Sequence, residues 1–297
     1  MTKKSITRRD FLKRSSSAAL AGALYLNLPA RMVAQADRRS KVILIRDPRA
    51  LNSGNEPADA VLEEMLDKAV TVLLDEDHVS KAWEQILQPE DILGIKTNIW
   101  SYLRVPPGLE QSIHTRAVEV GIKPKNISIV DRSVLSDPVF QKATALINIR
   151  PMRTHYWSGV GSLIKNYITF VKSPSSYHPD TCADLATLWK LPIVKGKTRL
   201  NILVMLNPLF HGSGPHHFNP KYTWPYKGLL VGTDPVAVDA TGLRILTAKR
   251  REFFGDERPL TPPAKHILLA DTRHHLGTAD PGQIELIKLG WEEDILI

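Results

Sequence analysis

Behind its first few dozen residues the chain alternates short apolar runs with segments whose apolar positions recur every three or four residues. That is the pattern of a sheet covered by helices. Residues 41–46 (KVILIR), 92–96 (ILGIK), 127–130 (ISIV), 146–149 (LINI), 200–205 (LNILVM) and 229–231 (LLV) read as strands. In the segment 57–74, Val61, Met65, Leu66, Ala69, Val72 and Leu73 fall at helical spacing and Pro57 sits where a first turn tolerates it. Residues 160–170 and 235–246 read as further helices. The pattern predicts an α/β fold, a mostly parallel or mixed sheet covered by helices, in a single domain over residues 37–297.

Several of the strands run directly into polar residues: Lys96-Thr97-Asn98, Asp131-Arg132, Arg150, Asn207 and Thr233-Asp234. In open α/β sheets ligands gather at the carboxyl ends of strands, so a site is expected there. Asp234 stands before Pro235 as a helix N-cap would. Asp239 falls one turn later among Val236, Val238 and Ala240, where an aspartate needs a cation, a histidine or a hydroxyl as partner. Further polar residues crowd the stretch from Arg153 to His217, with Arg153-Thr154-His155, Lys165-Asn166, His178, His211 and the pair His216-His217. Imidazoles titrate near neutrality and, beside carboxylates, suit a borderline divalent metal.

Charge and cysteine content narrow the function. The formal net charge is +8, but residues 1–36 hold seven Lys/Arg against one acid, and the 32 Lys/Arg and 30 Asp/Glu of the remainder leave only +2. A nearly neutral folded part argues against a nucleic-acid partner, whose binding needs clustered cations. Lys249-Arg250-Arg251 is the one basic run and reads as a solvated helix end. Cys182 is the single cysteine, so an internal disulfide or a cysteine-ligated iron–sulfur cluster cannot be built from one chain. There is no GxGxxG, P-loop, HExxH or EF-hand pattern, which sets aside the standard nucleotide and metalloprotease sites.

The first 36 residues read as a twin-arginine signal peptide: a basic head, Arg8-Arg9 before Phe11 and Leu12, a weakly apolar core, and Ala34-Gln35-Ala36 before a first mature residue Asp37. The expected location is periplasmic or extracellular, with the twin-arginine translocase as transient partner and no permanent membrane anchor.

In order, Ile95-Lys96-Thr97-Asn98, Arg153-Thr154-His155, Lys165-Asn166, His178, Gly212-Ser213-Gly214-Pro215 and Thr233-Asp234-Pro235-Val236-Ala237-Val238-Asp239 resemble the proteins grouped as domain of unknown function 362. The resemblance covers about residues 90–250. Thr97 and Arg153 stand where many of those proteins carry proline and lysine, and the ferredoxin-type cysteines of some are absent. A more distant similarity is to nickel-pincer lactate racemase, in which a histidine acid/base, a cofactor-bearing lysine and a nickel-binding histidine follow in the order of His155, Lys165 and His178. These resemblances imply catalytic roles for His155 and Lys165. The racemase similarity also implies a metal on His178; with the strand-end polar residues and the histidine-rich loop, the expected site takes cofactor contacts from Lys96, Asn98, Lys165, Asn166, Asp234 and Asp239 and a divalent metal on His178, His211 and His216. Two functions stay open: a metal- or cofactor-dependent oxidoreductase or isomerase, and a non-catalytic binding or accessory protein for a small acidic ligand.

Overall fold

Val42 and Leu44 face one core while Ile43 and Ile45 face another, so the first strand is apolar on both sides. That is the signature of a strand sandwiched between helix layers. The computed structural model describes residues 39–212, 214 and 217–297; the signal-peptide reading and His216 lie outside them. Ser40–Ile297 packs as one unit around an eight-stranded mixed sheet. The strands are β1 (Ser40–Arg46), β2 (Leu93–Lys96), β3 (Ile127–Val130), β4 (Ala145–His155), β5 (Gly159–Gly161), β6 (Thr198–Leu209), β7 (Gly228–Gly232) and β8 (Ile284–Gly290). Their spatial order is β3-β2-β4-β6-β7-β1-β8, with β5 hairpinned onto the end of β4. Strands β3, β2, β4 and β6 are parallel, β7 is antiparallel to both its neighbours, and β1 and β8 are parallel to each other.

Helices cover both faces. The helices α1 (Asp59–Leu73), α2 (Val79–Ile86) and α3 (Pro107–Val120) bury Leu62, Leu66, Trp83 and Ile113 with Ile43, Ile147 and Ile202 of the sheet. On the other face α4 (Pro138–Lys142), the single turn α5 (Leu163–Asn166), α6 (Pro235–Phe254) and α7 (Lys265–Thr272) bury Phe140, Leu163, Ile245 and Ile267 with Leu44, Leu146 and Leu203. Helix α6 starts where the sequence predicts: Asp234 accepts from the backbone N–H groups of Val236 and Ala237, and Pro235 takes the first turn. It runs to Phe254 and ends on Gly255 at φ 74°, a left-handed cap. No helix among the described residues is long and apolar enough to cross a membrane.

The expected 160–170 helix is replaced by β5, the single turn α5 and a 3-10 turn over Tyr167–Phe170. Strand β4 continues six residues past the apolar run at 146–149, through Arg150 to His155, and every residue of it is buried. Pairing with β6 on one side and with β5 on the other overrides the polar composition of that stretch. The basic run is not wholly solvated either. Arg250 is buried and donates to the carbonyl oxygens of Phe210, Arg258 and Pro259, tying α6 to two loops.

Candidate functional site

At the carboxyl ends of β2, β3 and β4 a cleft of about 170 Å³ opens, lined by Asn98, Trp100, Asp131, Arg132, Arg150, Arg153, His155, Trp157, Lys165, Asn166, Ile168, Thr169 and His178. The geometry that holds Lys165 there is built from below. Asp239 on α6 reaches across to the start of α5, accepting from Ser162 Oγ at 2.7 Å and from the backbone N–H groups of Leu163 and Ile164 at 2.9 Å. A fully buried carboxylate thereby caps the turn that carries Lys165. Burial pushes its pKa up to about 6 against the pull of these hydrogen bonds. Asn166 fastens the same turn to the sheet: its Nδ2 donates to the Lys96 carbonyl at 3.0 Å, to Asn148 Oδ1 at 2.9 Å and to the Ile149 carbonyl at 3.2 Å.

Lys96 forms the cleft floor. Its ammonium donates to Asp131 Oδ1 at 2.9 Å, to the Thr97 carbonyl at 2.7 Å and to Asn166 Oδ1 at 3.3 Å. Burial lowers the Lys96 pKa to about 8 despite Asp131. Burial also works against the charged form of Asp131, but the Lys96 ammonium outweighs it and holds the carboxyl below its usual range. Among the described residues Asp131 is the one carboxylate lining the cleft, and it pairs with Lys96.

The cations above it lack such partners. Arg153 gives Nη1 to Asn98 Oδ1 at 2.9 Å and lies over the Trp100 ring, but its Nε is buried without an acceptor. Arg150 is 4% exposed, its Nε is orphaned, and its guanidinium makes no hydrogen bond to a described residue. Gly161, which pairs opposite Arg153 in the β4–β5 hairpin, makes room for both: a Cβ there would stand 2.8 Å from Arg150 Nη2. Burial pushes the Arg150 pKa down to about 10 and that of Arg153 well below its ordinary value. Lys165 touches Cys182 Sγ at 3.6 Å, where a left-handed turn through Asp180, Thr181 and Cys182 brings the sulfur under the cleft. Burial lowers the Lys165 pKa to about 8, and the nearby Arg150 and Arg153 push the same way.

His155 Nδ1 accepts the Trp157 backbone N–H at 3.2 Å, so Nε2 carries the ring proton and the imidazole is a donor. Burial, then the neighbouring cations, keeps it neutral. His178 stacks on Trp157 with ring centroids 3.5 Å apart, and burial together with Lys165 lowers its pKa to about 4.

Of the residues singled out in the sequence, Asn98, His155, Lys165, Asn166 and His178 line one cleft, Lys96 lies beneath it, and Asp239 supports it from α6. Asp234 is at the opposite end of the strands, because β7 runs against its neighbours. There its carboxylate caps α6 and accepts from Ser40 Oγ at the start of β1 and from the Thr278 backbone N–H. His211 lines a neighbouring cavity of about 290 Å³ with Arg250 and Arg258, its Nδ1 3.3 Å from Arg250 Nη1. His178 and His211 therefore do not share a centre, and no three His, Cys, Asp or Glu side chains among the described residues gather as a metal site would need. Arg150, which the sequence places at a strand end where a site is expected but to which no role was assigned, also lines the cleft.

No curated protein and no solved structure matches the chain. Residues 113–244, the stretch that carries Asp131, Arg150, Arg153, His155, Lys165, His178 and Asp239, match the family model described as Domain of unknown function (DUF362).

Proposed function

We propose that the cleft binds a small anion, a carboxylate or a phosphate, in an exported protein related to the domain-of-unknown-function-362 group along its whole folded part. The observation that carries this reading is Arg150, a buried guanidinium that makes no hydrogen bond to a described residue. Asp131 and Asp239 act on it through their charge alone, and a bound anion would supply the hydrogen-bond acceptors that they do not. Arg132, Arg150, Arg153 and Lys165 converge against one carboxylate that is already paired with Lys96. The neutral, Nε2-protonated His155 adds a donor suited to an oxygen rather than to a metal. The cleft is smaller than the roughly 300 Å³ at which drug-sized sites begin, so the ligand is a compact one. The leader's twin arginines, apolar core and cleavage pattern support export.

Thermal melts with oxalate, sulfate or inorganic phosphate at matched ionic strength test the binding reading. At least one of these anions should raise the melting temperature of the wild-type protein and leave Arg150→Met unmoved. Equal shifts in the two proteins would refute it.

A further inference from the structure

A cleft meant only to neutralise an anion has no need of an amine without a carboxylate partner. Lys165 is 3% exposed, lines the cleft, and has the weakly accepting Cys182 sulfur as its hydrogen-bond partner among the described residues. It shares the cleft with two guanidiniums that suit a carboxylate and with an imidazole N–H donor that suits a carbonyl or alkoxide oxygen. Resting on the anion-cleft reading, we propose that Lys165 forms an imine with a 2-oxo acid whose carboxylate is held by Arg150 and Arg153.

The chemistry balances without an oxidant or a further reactant. The neutral Lys165 amine attacks the carbonyl carbon, so a C–N bond forms as the C–O π bond opens, and His155 Nε2–H supports the charge developing on oxygen. The two amine protons then leave with that oxygen as water, and a C=N bond remains. Burial among cations lowers the Lys165 pKa to about 8, which puts far more of the amine in its reactive form at neutral pH than an exposed lysine has. Asp239 and Asn166 hold the short turn that aims it. The small volume suits an acid of a few carbons.

The test is reductive trapping on the full folded chain with pyruvate and sodium cyanoborohydride, read by intact mass and peptide mapping, alongside oxalate melts of the same sample. Oxalate presents carboxylates but no ketone. The expected result is one reduced pyruvate on Lys165, about tenfold or more above any other lysine, with oxalate suppressing it. Lys165→Arg, which keeps the charge, should lose that adduct. An oxalate shift with no adduct at Lys165 in the wild type overturns the imine and leaves the anion cleft standing. Absence of both overturns the two together.

Discussion

Asp239 Oδ2 accepts the Ser162 hydroxyl at 2.7 Å, which joins the second turn of the sheet-covering helix α6 to the first residue before the turn that bears Lys165. The carboxylate accepts two backbone N–H bonds as well, so removing it orphans buried donors. Asp239→Ala should lower the unfolding free energy by roughly 3 kcal/mol in urea titrations, and should diminish trapping at Lys165.

The same residue fixes a pH dependence. Its folded pKa, about 6, lies above the ordinary carboxyl value of 3.8, so the folded state holds the proton more tightly. Its contribution to stability is therefore full below about pH 4 and is lost as pH rises through 6. Urea midpoints from pH 3.5 to 6.5 should contain a falling component that is missing from Asp239→Asn. An identical profile in the variant would contradict this assignment.

Lys96 and Asp131 form a buried pair at 2.9 Å, with side chains 0% and 6% exposed. Breaking such a pair from one side strands the other charge, at a cost of about 3–5 kcal/mol. Asp131→Asn should show a loss of this order in equilibrium unfolding, well beyond that of an exposed pair such as Lys81–Glu84. A change below about 1 kcal/mol would mean that water, not Asp131, compensates Lys96.

Imine trapping should rise with pH and reach half its maximum near pH 8, where Lys165 loses its proton. The groups facing that amine are Cys182, Arg150, Arg153, His155, His178 and His266. The three histidines are held neutral by burial and the neighbouring cations, and Arg150 keeps its charge beyond this range. Cys182, pushed up by burial, also keeps its proton near neutrality. A profile that instead followed the ordinary lysine value of 10.5 would place the reacting amine at an exposed position.

Export has its own test. Replacing Arg8 and Arg9 together by Lys keeps the charge but removes the paired arginines, so unprocessed precursor should accumulate in the cytoplasm. Mature protein beginning near Asp37 outside the cell would contradict the route.

Much of the sheet was legible because its strands are largely apolar: 127–130 coincides with β3, 41–46 and 92–96 differ from the observed strands by one residue at one end, and 229–231 by one residue at each end. Of the strand that builds the cleft only 146–149 was legible, since Arg150, Arg153 and His155 break the apolar pattern and pairing with β5 and β6 keeps them in the sheet. Asp239 could be read as needing a hydroxyl, and Ser162 supplies it. Asp234 could be read as a cap, but its placement at the far end of the strands follows from the antiparallel β7, which no local pattern encodes. The separation of His178 and His211 was equally invisible, because nothing local to either histidine encodes that they line different cavities.

The central claim rests on Arg150, and calorimetric titration with oxalate addresses it most directly. Wild-type protein should bind oxalate with measurable heat and about one site per chain, as one cleft implies. Arg150→Met should show no binding while the ligand-free protein remains folded, since the guanidinium makes no hydrogen bond to a described residue and Met keeps its buried apolar stem. Unaltered oxalate affinity in a folded Arg150→Met protein would contradict the account.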